Sequence, residues 1–131
     1  MGINPIIILI SIWSGTIIFF SAVVAPTVFK ALGEKEAGVF LRAFFPKYYI
    51  FGIVLGAISI IYLSYNPVHS HLMYSVVAMT VLTLLGRMSI PIINNARDSG
   101  NETSFKRYHM ISVMMNVLTL IIGIVILGML L

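Results

Sequence analysis

The stretch Gly86-Arg87-Met88-Ser89-Ile90-Pro91-Ile92-Ile93-Asn94-Asn95-Ala96-Arg97-Asp98 decides the fold. It closes an apolar run that begins near Leu72, and it sets a cation, Arg87, well inside that run. About 20 apolar residues in a row are enough to cross a bilayer as a helix. A cation near the bilayer centre costs about 2.5–3.5 kcal/mol on insertion scales. Such a residue faces a protein interior, a water-filled cavity or a ligand.

Three more runs of this kind flank the first, and together they give spans at about 4–29, 47–65, 72–95 and 108–131. The runs are continuously apolar and do not alternate, which argues against a sheet barrel. Of the 131 residues, 60% are hydrophobic and only 9% are charged. A soluble domain carries roughly 25% charged residues, so lipid must be the solvent. The expectation is an all-α, integral-membrane, antiparallel four-helix bundle, with 1–131 as a single transmembrane domain.

The net charge of +4 reflects membrane orientation and not a nucleic-acid surface. Lys30, Lys35, Arg42 and Lys47 lie in the first loop, and Arg97, Lys106 and Arg107 in the third. The turn Asn66-Pro67-Val68-His69-Ser70-His71 has no Lys or Arg. The positive-inside rule then puts the first and third loops in the cytoplasm and both termini outside the cell membrane. On that topology the sequon Asn101-Glu102-Thr103 faces the wrong side for glycosylation. The apolar N-terminus lacks the basic region of a signal peptide and reads as a retained span. Met1-Gly2 is not followed by the Ser or Thr that myristoylation needs. The chain has no cysteine, which removes disulfides, thiolate nucleophiles and Cys-based metal sites.

Within the first loop, Ala37, Phe40, Leu41, Phe44 and Phe45 recur at helical spacing, and Lys35, Glu36 and Arg42 fall elsewhere. This predicts a short amphipathic helix at the interface, or a packing cap under the bundle. Pro46 is then expected to start the second span. Pro26 leaves the carbonyl of Ala22 without a donor and predicts a kink late in the first span. Gly52-x-x-x-Gly56 allows close helix approach and is the expected contact if the protein forms a homo-oligomer.

The polar residues form two stripes. Thr80, Thr83, Arg87, Pro91, Asn94 and Asp98 share one face of the third span; His109, Ser112, Asn116 and Thr119 share one face of the fourth. Arg87 lies ten residues inside Arg97, about 15 Å deep at 1.5 Å per residue. Asn116 lies at nearly the same depth, measured from Arg107, and is its expected partner. No acid occurs inside any span. Arg87 is therefore satisfied by carbonyls, amides and water, or binds an anion, or snorkels. Trp13 sits too deep for an interfacial belt and packs or lines a cavity. His69 and His71 make at most a weak metal pair. His109 reads as a polar packing residue, a proton relay or an axial ligand. The methionines are potential soft copper ligands, and more simply filler.

Several of these residues carry a resemblance. Trp13-x-Gly15, Ala25-Pro26-x-x-Phe29, Phe44-Phe45-Pro46-x-Tyr48-Tyr49, Arg87-x-x-x-Pro91-x-x-Asn94 and Phe105-x-x-x-His109-x-x-Ser112-x-x-x-Asn116 follow one another along nearly the whole chain. The pattern resembles the small four-helix membrane proteins similar to transmembrane protein 205. The link of that namesake with platinum-drug resistance implies transport or trafficking. More distantly, the chain is similar to the CopD and HemJ-type four-helix proteins, although no histidine precedes Trp13 as one does in the HemJ type.

The site expected from all this is a cytoplasm-side cavity that binds or transports a small anionic ligand. Arg87, Asn94, His109, Ser112 and Asn116 would build it, with Trp13 and Pro26 contributing from the first span. No catalytic constellation emerges. The alternatives are a haem- or porphyrin-binding redox protein, with His109 as axial ligand and Arg87 as propionate partner, and a structural accessory subunit.

Overall fold

Asn4 starts the first helix. Its side chain accepts a hydrogen bond from the Ile6 N–H at 3.0 Å, which satisfies one of the orphan donors of the first turn. Pro5 follows as the first helical residue, where its missing N–H costs nothing. The computed structural model describes residues 4–67 and 70–131, and these are helical apart from short connections. Met1, Gly2 and His69, on which a myristoylation reading and a metal reading rested, lie outside the described residues.

The elements are α1 (Pro5–Phe19), a π-helical turn (Phe20–Val24), α2 (Ala25–Ala31), α3 (Glu34–Tyr65), α4 (Ser70–Asp98) and α5 (Glu102–Leu130). The irregularity expected at Pro26 takes the form of the π turn just before it. There the Ala25 N–H reaches back to the Phe20 carbonyl. A proline denies its N–H to the carbonyl four residues back, and the wider turn absorbs that mismatch without ending the helix.

Pro46 does not start a helix. It lies inside α3, which runs unbroken for 32 residues. The amphipathic segment is thus the beginning of α3 and not a separate helix in the loop. Packing is the physical reason. A proline removes one hydrogen bond, but aromatic rings bridge the site on both sides. Phe44 stacks on Phe20 at 5.0 Å and Tyr48 meets the same ring at 5.1 Å.

The connection from α4 to α5 is a tight αL turn. Gly100 has φ 71°, the region only glycine enters without strain. Its N–H bonds to the Arg97 carbonyl, and the Asn101 N–H bonds to that of Ala96. This is the Schellman pattern. Asn101 then caps α5 by accepting from the Ser104 N–H at 3.1 Å.

Four helical stretches are long and apolar enough to cross a membrane: Pro5–Ala31, Glu34–Tyr65, Ser70–Asp98 and Glu102–Leu130. Large apolar side chains such as Phe19, Phe29, Met88 and Met114 stand on the outside of the bundle, as lipid contact demands. Inside, Ile6, Ile10, Trp13 and Ile17 form the buried stripe of α1 and meet Val76 and Met79 of α4 in the core. Helix α4 packs on α3 and α5, and α1 packs on α5 and α3. Beyond the π turn the arrangement changes: α2 approaches α3 and, among the described residues, neither α4 nor α5.

Candidate functional site

That change of partner leaves a cavity of about 220 Å³ bounded by α2, α3, α4 and α5. It lies at the end of the bundle that carries the two basic connections, since Glu34, Arg42, Arg97 and Phe105 all border it. Phe29, Leu41, Phe45, Ile90 and Ile93 supply apolar wall; Tyr49, Ser89, Asn94, His109 and Ser112 supply polar groups.

Three of the seven residues expected at the site come together here: Asn94, His109 and Ser112. Asn94 is half-buried, and its amide makes no hydrogen bond among the described residues. The Ser112 hydroxyl donates to the His109 carbonyl at 3.0 Å. The His109 ring stacks on Phe105 at 5.7 Å with the planes 6° apart.

The other four do not line the cavity. Arg87 is half-buried and makes no hydrogen bond or ion pair among the described residues. The reason is azimuth, not depth. The inward line of α4 runs through Val76, Met79, Thr83 and Gly86, and the next residue is turned by about 100°. Gly86 holds the inward position because the Tyr49 ring fills the space; a Cβ there would lie 2.5 Å from Tyr49 Cε1. Asn116 has its own partner, accepting from the Tyr48 hydroxyl at 2.9 Å. Pro26 faces outward.

Trp13 is 3% exposed and belongs to the core. Its indole lies against the two glycines of α3. A Cβ on Gly52 would sit 2.9 Å from Trp13 Nε1, and one on Gly56 3.0 Å from Trp13 Cη2. Gly52 and Gly56 are therefore occupied within the chain by Trp13, Thr80 and Thr83. They offer no outer face to a second copy.

Sequence reasoning missed the groups at the cavity mouth. Arg97 Nη2 donates to Glu34 Oε1 at 3.0 Å. The Arg97 guanidinium also lies over the Phe105 ring, 4.8 Å from its centroid, a cation–π contact. Beside it, Arg42 grips Asp98 with both guanidinium nitrogens, Nη1 to Oδ2 at 3.1 Å and Nη2 to Oδ1. The two pairs join the start of α3 to the end of α4. Partners 63 and 56 residues apart leave no local signal. Only Phe105-x-x-x-His109, at the i, i+4 spacing of stacked helical neighbours, was legible. Chemically, the mouth offers a planar cation, an amide and an imidazole above an aromatic and aliphatic floor. Among the described residues, no group of three or more His, Asp or Glu is placed to hold a metal ion.

Comparison with known proteins adds a family but no activity. Residues 8–102 match the family described as a domain of unknown function, DUF4149. An uncharacterized protein of Aquifex aeolicus (strain VF5) is 32% identical over 114 residues, which is 87% of this chain and 85% of that protein. No solved structure matches. The matched family span includes Glu34, Arg42, Asn94 and Arg97 and ends before Phe105, His109 and Ser112.

Proposed function

The chain belongs to the DUF4149 family, and from that footing we propose that it is a small polytopic membrane protein that binds or transports a small anionic ligand in the cavity at its basic end. Arg97, and not Arg87, is the anion contact. One observation carries this reading: Arg97 is held at the cavity mouth over Phe105, and its ion-pair partner is Glu34, whose side chain is 87% exposed. A guanidinium so held offers a planar fork to a carboxylate or phosphate. The amide of Asn94 and the imidazole of His109 stand within the same cavity and complete a polar rim. At about 220 Å³ the space falls below the roughly 300–1,000 Å³ of drug-sized sites, which favours a small ligand or one end of a larger one.

The four helices alternate in direction across the membrane in this reading, with the α1–α3 and α4–α5 connections in the cytoplasm and the first turns of α3 at the interface. The ordered motifs from Trp13 to Asn116 support kinship with the proteins similar to transmembrane protein 205, whose namesake implies transport or trafficking.

Calorimetric titration of the purified chain with octanoate and with glycerol 3-phosphate tests the site. A charge-assisted hydrogen bond is worth about 1.5–3 kcal/mol, so Arg97→Gln is expected to weaken binding ~10-fold or more. Arg87→Gln is expected to bind like the wild type. If the two variants exchange these behaviours, the site is at Arg87 after all.

A further inference from the structure

We propose that the cavity admits an anionic membrane lipid from the side: the headgroup takes the place of Glu34 on Arg97, and the acyl chain leaves between α2 and α5. This rests on the reading above and narrows its ligand to one class. Four observations converge on it.

The first is the gap. Helix α1 packs on α5, but after the π turn α2 follows α3 alone and does not approach α5. Phe29 on one side of the cavity and Phe105 with His109 on the other border it, and Phe29 is 63% exposed. With α2 away from α5, an apolar chain that reaches the cavity from this side crosses no helix–helix contact.

The second is the wall. Leu41, Phe45, Ile90 and Ile93 line the space behind the polar rim. A free phosphate or small dicarboxylate gains nothing from such a floor, whereas an acyl chain buries apolar surface on it.

The third is Glu34. It is the first residue of α3 and its carboxylate is the anion now on Arg97. Ion pairs this exposed are weak, so a headgroup oxygen can exchange with it. Glu34 is in effect a built-in competitor that keeps Arg97 paired between ligands.

The fourth is charge. Lys30, Lys35, Lys106 and Arg107 flank the same two connections. Clusters of this size beside a span draw anionic lipids to the surface.

The test uses the full chain in nanodiscs of equal phosphatidylglycerol and phosphatidylcholine, with retained lipid counted by native mass spectrometry. The wild type is expected to keep one phosphatidylglycerol with a preference of ~5-fold or more, the scale of one near-surface cation. Glu34→Gln is expected to raise that retention and Arg97→Gln to abolish the preference. Gly38→Leu is the decisive variant. Gly38 lines the cavity and an added Cβ meets nothing within 4 Å, so leucine fills the chain's space while favouring the helix. It is expected to lose the retained lipid and to melt no lower than the wild type. Equal retention of the two lipids, or an undiminished preference in Gly38→Leu, overturns the proposal; the latter would assign the preference to the surface lysines. If glycerol 3-phosphate displaces the lipid at equal concentration, the site reads only a free headgroup: the lipid proposal falls and the anion-binding reading stands. If neither lipid nor soluble anion binds, both fall.

Discussion

Glycine shows how far a single residue reports on its surroundings. Gly86 and Gly38 both lie inside long helices, where glycine costs about 1 kcal/mol relative to alanine. Their environments are opposite. A Cβ on Gly86 would run into the buried Tyr49 ring at 2.5 Å, and one on Gly38 meets nothing within 4 Å. Overpacking costs about 1–3 kcal/mol, and set against the propensity gain of about 1 kcal/mol it leaves Gly86→Ala expected to destabilise by up to about 2 kcal/mol. Gly38→Ala keeps the gain and is expected to stabilise by up to about 1 kcal/mol. Reversible unfolding of the two variants in a denaturing detergent checks the signs; like signs would mean that Tyr49 yields. Arg87 belongs at this scale too. Its depth was legible from the distance to Arg97, but its direction was set by which neighbour in α4 the Tyr49 ring selected.

At the scale of elements, Pro26 and Pro46 part company. Pro26 is accommodated by a π turn that releases α2 from α5, and Pro46 is carried inside α3 by the rings of Phe44, Phe45 and Tyr48 around Phe20. At its exposed end the junction of α3 with α4 carries the Arg42–Asp98 and Arg97–Glu34 pairs. Exposed pairs contribute about 0.2–1 kcal/mol each and are screened by salt. Asp98→Asn is therefore expected to lower stability by less than about 1 kcal/mol in dilute buffer and by nearly nothing in molar salt. Unfolding at two ionic strengths measures this. A loss that persists in salt would give the Arg42 fork a buried role.

For the molecule as a whole, the charge asymmetry of the connections is the ground on which we propose the sidedness of the ends. With no native cysteine, single substitutions report it cleanly. Lys35→Cys and Ser99→Cys are expected to react with an impermeant maleimide only after cells are opened, and Asn66→Cys in intact cells. Reversed labelling inverts the orientation, and labelling of all three from one side removes the reading of four crossings.

The four spans were legible in the sequence because apolar length is a one-dimensional property and lipid rewards it without regard to partners. The helical break near Pro26 was equally local. Asn94, His109 and Ser112 could be grouped because i, i+3 and shared depth suffice to place them. The rest required the tertiary structure. Packing of Tyr49 on Gly86 turned Arg87 away from the cavity, Tyr48 took the amide of Asn116, and Trp13 filled the notch of Gly52 and Gly56. Arg97, seen in the sequence as a topological charge, was brought to the cavity mouth beside Glu34, 63 residues away. Helical periodicity fixes which residues share a face, and hydropathy fixes which faces can meet lipid. The rotation of each helix about its axis depends on side-chain shapes from other helices, and that rotation decided which polar groups the cavity received.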